Sequence, residues 1–241
     1  MTARAGKGFL GVLMLDTAFP RIVGDVGNPA SYDFPVRLHV VKGADVMQVV
    51  RDAPPSPALV AEFVAGARAL EAAGAWGIVT SCGFLGHAQV ALSEAVRIPV
   101  VASALSLGPM ARAMTGGRPL GILTADSRAL TPALLHACGL DPRDLRIVGL
   151  EGEAAWRWLI LAPKAAQARV LDAEEIGGIV EAAARALVAE TPETGAIVLE
   201  CANLPPYAAR IRRATGRPVF HILNAALTMN PHAFDTMGRE G

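Results

Sequence analysis

The 241-residue sequence has no surplus of charge, with 22 lysines and arginines against 22 aspartates and glutamates. Without a net field, nothing electrostatic points to nucleic acid or to an anionic membrane surface. Arg210, Arg212 and Arg213 read as the solvated face of a helix. Nor is there an apolar run long enough to cross a bilayer. Mean hydropathy is +0.38, but the uncharged stretch "IPVVASALSLGPMA" between Arg97 and Arg112 has only 14 residues, with two prolines and a glycine. A helical span needs roughly 20. Arg4 and Lys7 precede "FLGVLML", which Asp16 closes with no small-residue cleavage site. That segment reads as a buried first strand rather than a signal peptide. Cysteine is scarce and odd in number, at three, so reduced thiols and a cytoplasmic location are expected. CxxC and HExxH spacings and a GxxxxGK[ST] phosphate loop are missing, and no GxGxxG run follows a strand to open a helix, as a dinucleotide fingerprint must, so no metal and no cofactor are expected.

What is present is an alternation of strand-like and helix-like segments. Strands are expected at Phe9 to Asp16, Val36 to Val41, Gly77 to Ser81 and Ile98 to Ala102, then at Leu120 to Ala125, Asp144 to Leu150, Gly195 to Glu200 and "RPVFHI". Between them lie helices opened by Ser56-Pro57 and Thr131-Pro132 and stopped by Gly74 and Gly139. A helix is also expected near His87 to Val96, Asp172 with Glu175 has capping-box spacing before an alanine-rich helix, and Asn203 reads as a further cap. Such alternation argues for parallel sheets covered by helices.

The halves also repeat. Cys82 lies 17 residues before "PVVAS" and Cys201 17 before "PVFHI", while "GVLMLDT" at Gly11 matches "GILTADS" at Gly121. The cysteines are 119 apart and these strands 110, so the second half carries about nine extra residues, placed near "EAAWRWLILAP". The expected architecture is two similar three-layer α/β lobes with mainly parallel sheets, related by a pseudo-twofold duplication. The first spans 1–103 and is completed by a C-terminal helix, 222–241; the second spans 104–221. Asp16, Cys82, Asp126 and Cys201 all fall at strand C-termini, where parallel sheets collect ligands, so a pseudo-twofold axis would bring the thiols face to face.

Cysteine is most often a small buried hydrophobe, and Cys138 reads that way. For Cys82 and Cys201, a strand end before a helix N-terminus predicts a lowered thiol pKa. Two opposed thiols can remove a proton from carbon on one face and return one on the other. Ser81, the backbone after Cys82, Thr124 and Asn203 are placed to stabilise the developing charge, although Asn203 could equally serve only as a cap. A small molecule bearing a carboxylate is the expected substrate. A disulfide and a zinc site are the competing uses of the pair; compartment and ligand spacing disfavour them.

The two lobes, the strand ending in Asp16-Thr17 and the strand-end cysteines resemble the aspartate/glutamate/hydantoin racemase superfamily over essentially the whole chain. The resemblance implies a pyridoxal-phosphate-independent isomerase, a racemase or epimerase of an amino acid, hydantoin or related carbon acid, with Cys82 and Cys201 as acid and base. It implies substrate contacts from Asp16 and Thr17 in one lobe and from Thr124 to Ser127 in the other, and a homodimer. Gly83-Phe84 and Ala202-Asn203 stand where glutamate racemases typically carry Asn-Thr and Thr-His, so a less polar pocket is expected and an apolar amino acid, a hydantoin-like ring or another carbon acid is as good a substrate as glutamate. A decarboxylase or cis–trans isomerase of the superfamily and a non-catalytic binding protein are the alternatives. A serine hydrolase built on Ser106, Asp126 and His221 is a remote one, since "ALSLG" lacks the first glycine of a nucleophile elbow. The "GDVGNP" loop reads as a connection or a cleft cover, and Trp156 and Trp158 as a subunit contact or a lid.

Overall fold

The computed structural model describes residues 8–231 and 233. Two four-stranded sheets, each wholly parallel, form the centres of two lobes. The first contains β1 (Phe9–Met14), β2 (Val36–Val40), β3 (Ala75–Thr80) and β4 (Val100–Val101), in the order β2-β1-β3-β4. The second repeats that order as β6-β5-β7-β8, with β5 (Leu120–Thr124), β6 (Leu145–Gly149), β7 (Ala196–Leu199) and β8 (Val219–Phe220). The helices are α1 (Val46–Val49), α2 (Pro57–Ala72), α3 (Gln89–Ala95), α4 (Gly108–Met114), α5 (Pro132–Ala137), α6 (Ala154–Trp156), α7 (Ala173–Glu190), α8 (Ala208–Thr215) and α9 (Ile222–Met229). None of the described helices is long and apolar enough to cross a membrane.

β1, β3, β5 and β7 are apolar almost throughout because helices or the other lobe cover both faces of each sheet. Gly11 and Gly121 show how closely the covering helices approach. A Cβ at Gly11 would lie 2.9 Å from Leu70 of α2, and one at Gly121 2.5 Å from Leu187 of α7. The matched glycine of the two repeats is therefore a shared helix-to-sheet contact. The hydrogen bonds repeat as well. Ser81 N–H donates to Leu13 and Glu200 N–H to Leu123, while Ile78 N–H donates to Pro99 and Ile197 N–H to Pro218, all at 2.9 Å.

Pairing register locates the insertion. Arg37 and Arg146, which pair with Gly11 and Gly121, are 109 residues apart, whereas Ile78 and Ile197, on the other side of the same glycines, are 119 apart. Ten extra residues thus lie between β6 and β7, where Trp156 and Trp158 occur. Here α6 runs into a π-helical turn, Arg157–Leu161.

Ser56 and Thr131 cap their helices as expected, accepting from the N–H groups of Leu59 and Leu134 at 3.2 Å. Gly74 and Gly139 end theirs at φ +96° and +75°. Three local expectations change. The segment after Cys82 begins as a 3-10 turn, Gly83–Ala88, before α3. Asp172 caps α7 alone, accepting from Glu174 and Glu175 N–H at 3.0 Å. Asn203 caps nothing: two prolines delay the helix, so that the 3-10 turn Pro205–Tyr207 precedes α8 and Asn203 turns to other partners. Helix α9 returns to the first sheet, with Met229 3.5 Å from a Cβ placed on Gly77. The rest of the expected C-terminal helix, at 232 and 234–241, lies outside the described residues.

Candidate active site

The strand order reverses between β1 and β3 and between β5 and β7, and the chain leaves both switch points toward the other lobe. Ligands of open parallel sheets bind at such reversals, beyond the carboxyl ends of the strands. Here the loops after β1, β3, β5 and β7 meet in one narrow pocket. Thr17, Ser81, Cys82 and Phe84 line it from the first lobe; Ala125, Glu200, Cys201 and Asn203 line it from the second. Phe19, Leu15, Val46, Val50 and Ile160 make the remaining wall apolar, and Arg21 closes one side.

Both thiols are free and buried. Cys82 heads the 3-10 turn, but its sulfur makes no capping hydrogen bond and Leu85 N–H donates to the Cys82 carbonyl at 3.1 Å; the nearby N–H groups of Phe84 and Leu85 favour the thiolate only weakly. Cys201 receives the N–H of Asn203 and donates its own S–H to Asn203 Oδ1 at 3.4 Å. The expected lowering of the thiol pKa values is not what the site imposes. Burial raises Cys82 and Cys201 far above the usual thiol range, and the charge of Glu200 adds to the rise in both. The few N–H groups offset only part of this. Short 3-10 and turn segments present less aligned dipole than a full helix, and the pocket admits little water.

Glu200, which the sequence pattern does not mark as a site residue, lies at the centre of this pocket wall. It is 1% exposed. Its Oε2 accepts from Thr124 Oγ1 at 2.8 Å and from Ala125 N–H at 3.3 Å, while Oε1 is buried without a partner. Ser81, its counterpart in the repeat, accepts in the same way from Leu15 N–H at 2.8 Å. Gly83 makes room for it: a Cβ there would fall 2.4 Å from Oε1 and 2.5 Å from the Glu200 carbonyl oxygen. Burial pushes the Glu200 carboxyl up to about 7, against the pull of Thr124 and Ala125. An unfolded glutamate ionises near 4.5, so its proton is held more tightly in the fold. The associated stability is intact below pH 4.5 and lost as pH rises through about 7. Glu200→Gln should therefore stabilise the protein by about 3 kcal/mol at pH 8 and by almost nothing at pH 4. Thermal melts of both proteins at the two pH values check this.

The other expected site residues divide. Thr17 accepts from Arg21 Nη2 at 2.9 Å, and Arg21 Nη1 reaches Asp25 Oδ1 at 2.9 Å. Asn203 Nδ2 donates to Asp25 Oδ2 at 2.6 Å, so the loop containing "GDVGNP" is bound to the second cysteine loop. Val26 N–H to Ala202 O, at 3.4 Å, is a second link, and Ala202 contributes backbone there rather than pocket wall. Thr124 acts on the carboxylate of Glu200. Asp16 lies outside the pocket lining: its carboxylate is paired with Lys164 and accepts from Gly43 N–H at 3.2 Å, which hold its pKa below the usual range.

Lys164 belongs to the stretch between β6 and β7, which closes the pocket. Its N–H donates to Asp45 Oδ2 at 3.1 Å, and Gln167 Oε1 accepts from Ala18 N–H at 2.7 Å. Trp156 is buried, with Nε1–H on the Ala125 carbonyl at 3.2 Å, whereas Trp158 is 62% exposed. The hydrolase grouping does not assemble. Asp126 is ion-paired with Arg128, and His221, pushed down to about 4 by burial, opens α9 through its N–H on Asn224 Oδ1. Among the described residues no three His, Cys, Asp or Glu side chains gather as a metal site. Arg21, Phe19, Val46, Val50 and Ile160 escape sequence reasoning because nothing local marks them. Glu200 does carry a signal: it is the one charge ending the apolar "GAIVLE" immediately before a cysteine.

Two duplicated parallel-sheet lobes with a strand-end thiol from each in a shared pocket define a known class of α/β protein. The model of the Asp/Glu/Hydantoin racemase family matches residues 30–229, and the chain belongs to that family. A dimethylsulfoniopropionate lyase of Durusdinium sp. clade D is 30% identical over 224 residues, covering 90% of this chain and 72% of the relative. Two solved structures share the fold. Unliganded arylmalonate decarboxylase has a TM-score of 0.58 at 18% identity, covering 93% of each chain. The allantoin racemase of Klebsiella pneumoniae has a TM-score of 0.55 at 17% identity, covering 95% of this chain and 89% of its own.

Proposed function

We propose that this chain is a cofactor-independent enzyme that moves a proton at the carbon α to a carboxylate, with Cys82 and Cys201 as the proton-carrying groups. The observation that carries this reading is the placement of both thiols, one from each lobe, on the walls of a single closed pocket. A carbon acid needs a base near the α-carbon and donors for the charge that spreads into the carboxylate. The pocket offers Arg21 and the N–H groups of the two cysteine loops for the second task.

Two net reactions follow from the same first step. If the β-carbon carries a leaving group, the carbanion expels it, and the enzyme is a lyase. The kinship with a dimethylsulfoniopropionate lyase supports this outcome. So does the wall of Phe19, Phe84, Val46 and Val50, which suits a methylated sulfonium better than an α-ammonium group. If no leaving group is present, a proton delivered from the opposite face racemises or epimerises the centre. The second thiol favours that outcome.

Incubation in D2O with dimethylsulfoniopropionate, and separately with chiral amino acids, hydantoins and aryl-substituted malonates and acids, separates the outcomes. Dimethyl sulfide with acrylate is the expected product of the first. Deuterium at the α-carbon of an unfragmented acid would identify a racemase, and release of carbon dioxide a decarboxylase. No reaction with any member of the panel would count against α-proton chemistry.

A further inference from the structure

The geometry points to Asp25 as a positioning residue that turns the amide of Asn203 so that its oxygen faces Cys201, which fixes Cys201 as the acid of the pair and leaves Cys82 as the base. These roles deepen the proposed α-proton chemistry and rest on it, whereas the hydrogen bonds that set them do not.

The "GDVGNP" loop is built around one buried carboxylate. Asp25 is 3% exposed. Its Oδ1 accepts from Arg21 Nη1 at 2.9 Å and from Gly27 N–H at 2.7 Å, and its Oδ2 accepts from Asn203 Nδ2 at 2.6 Å. The loop is itself pinned. Gly24 N–H donates to Ser31 Oγ at 2.8 Å, Ser31 Oγ–H to the Asp25 carbonyl at 2.7 Å, and Tyr32 Oη–H to the Val26 carbonyl at 2.8 Å. Gly27 leaves space for Arg21, since a Cβ there would fall 2.6 Å from Arg21 Cδ. One carboxylate thus fixes both the cation on the pocket wall and the amide beside the second thiol.

Donor and acceptor chemistry sets the direction. A carboxylate paired with Arg21 only accepts. Asn203 must therefore give its NH2 to Asp25, which leaves Oδ1 for Cys201, and the Cys201 S–H donates to it at 3.4 Å. A hydrogen bond that uses the thiol proton favours the neutral thiol. Cys82 has no matching partner: its sulfur makes no capping hydrogen bond, and among the described residues no side chain accepts its proton. The two thiols share a pocket but are unequal within it. In racemisation the Cys82 thiolate takes the α-proton. The Cys201 S–H swings from Oδ1 to the carbon and breaks as the new C–H bond forms, leaving the electron pair on the Cys201 sulfur and the removed proton on Cys82. In elimination Cys201 remains a thiol throughout.

The test reads the thiol protons directly and needs no substrate. The S–H stretching band lies in an infrared window clear of other protein bands and moves to lower frequency when the proton is donated. Bands are assigned by subtracting the spectra of Cys82→Ser and Cys201→Ser proteins. In wild type the Cys201 band should lie below the Cys82 band. Asp25→Asn then supplies the decisive contrast, with folding checked by thermal melting. The new NH2 would face two fixed donors at the Oδ1 position, Arg21 and Gly27 N–H, but only the Asn203 amide at the Oδ2 position. That amide can turn over, presenting its NH2 to the Cys201 sulfur. The Cys201 band should accordingly lose its low-frequency position, by shifting upward or by vanishing as thiolate forms, while the Cys82 band stays in place. A Cys201 band that is unshifted in wild type, or unmoved by Asp25→Asn, would overturn the assignment. Equal movement of both bands would do the same, since it would show general loosening of the pocket. If Asp25→Asn does not fold, Asn203→Ala removes the acceptor itself, and an unmoved Cys201 band is again contrary. Absence of α-proton exchange in wild type would defeat the proposed function, while the S–H spectra would still decide the role of Asp25.

Discussion

Cys82→Ser is expected to slow α-proton removal by about 10³-fold, within the range by which a positioned acid–base group contributes to rate. The substitution keeps the size and shape of a side chain that makes no capping hydrogen bond. What it removes is acidity, because a buried hydroxyl holds its proton far more tightly than a buried thiol. Cys201→Ser separates the two net reactions. In elimination a neutral sulfide leaves without needing a proton, so the second thiol contributes little and the loss should stay below about tenfold. In racemisation both faces are needed, and Cys201→Ser should fall as far as Cys82→Ser. Initial rates by NMR, with melting temperatures to confirm folding, give both numbers.

The second large effect is on stability. Trp156→Ala should cost about 3–5 kcal/mol, the usual range for removing a large aromatic from a core. Trp156 is 1% exposed, and its indole N–H holds the Ala125 carbonyl. The substitution leaves both a cavity and an unpaired carbonyl at the residue whose N–H steadies Glu200. It also loosens the π-helical turn that brings Ile160 to the pocket. Substrate affinity should weaken together with stability. Trp158→Ala, at an exposed position of the same turn, should change stability by no more than about 0.5 kcal/mol. Urea titration of the three proteins measures the contrast.

The lobes are legible in sequence because a fully buried parallel strand is apolar at nearly every position, as in β1 and β5, and because the repeat preserves Gly11 and Gly121 where a helix must touch the sheet. The placing of Cys82 and Cys201 in one pocket is legible for the same reason, since both are thiols at the switch points of a repeat. What surrounds the thiols is not. Their acidity depends on how completely the other lobe excludes water, and that long-range burial leaves no local pattern. Asn203 has the sequence of a cap, but two prolines delay the helix and free its side chain for Asp25 and Cys201. Asp16 occupies the expected strand end, yet Lys164, 148 residues away, captures it. Glu200 carries a signal, a lone charge before a cysteine, but its burial against Thr124 and Ala125 comes from a strand 75 residues away and leaves no local pattern.

The central claim is that this pocket breaks a carbon–hydrogen bond α to a carboxylate through Cys82. The most direct measurement offers dimethylsulfoniopropionate, deuterated at the α-carbon, to wild type and to Cys82→Ser, and compares rates with the unlabelled compound. A primary isotope effect or loss of deuterium to water in wild type, with the rate collapsing in the variant, is the predicted result. Turnover that is insensitive both to the label and to the thiol would contradict it.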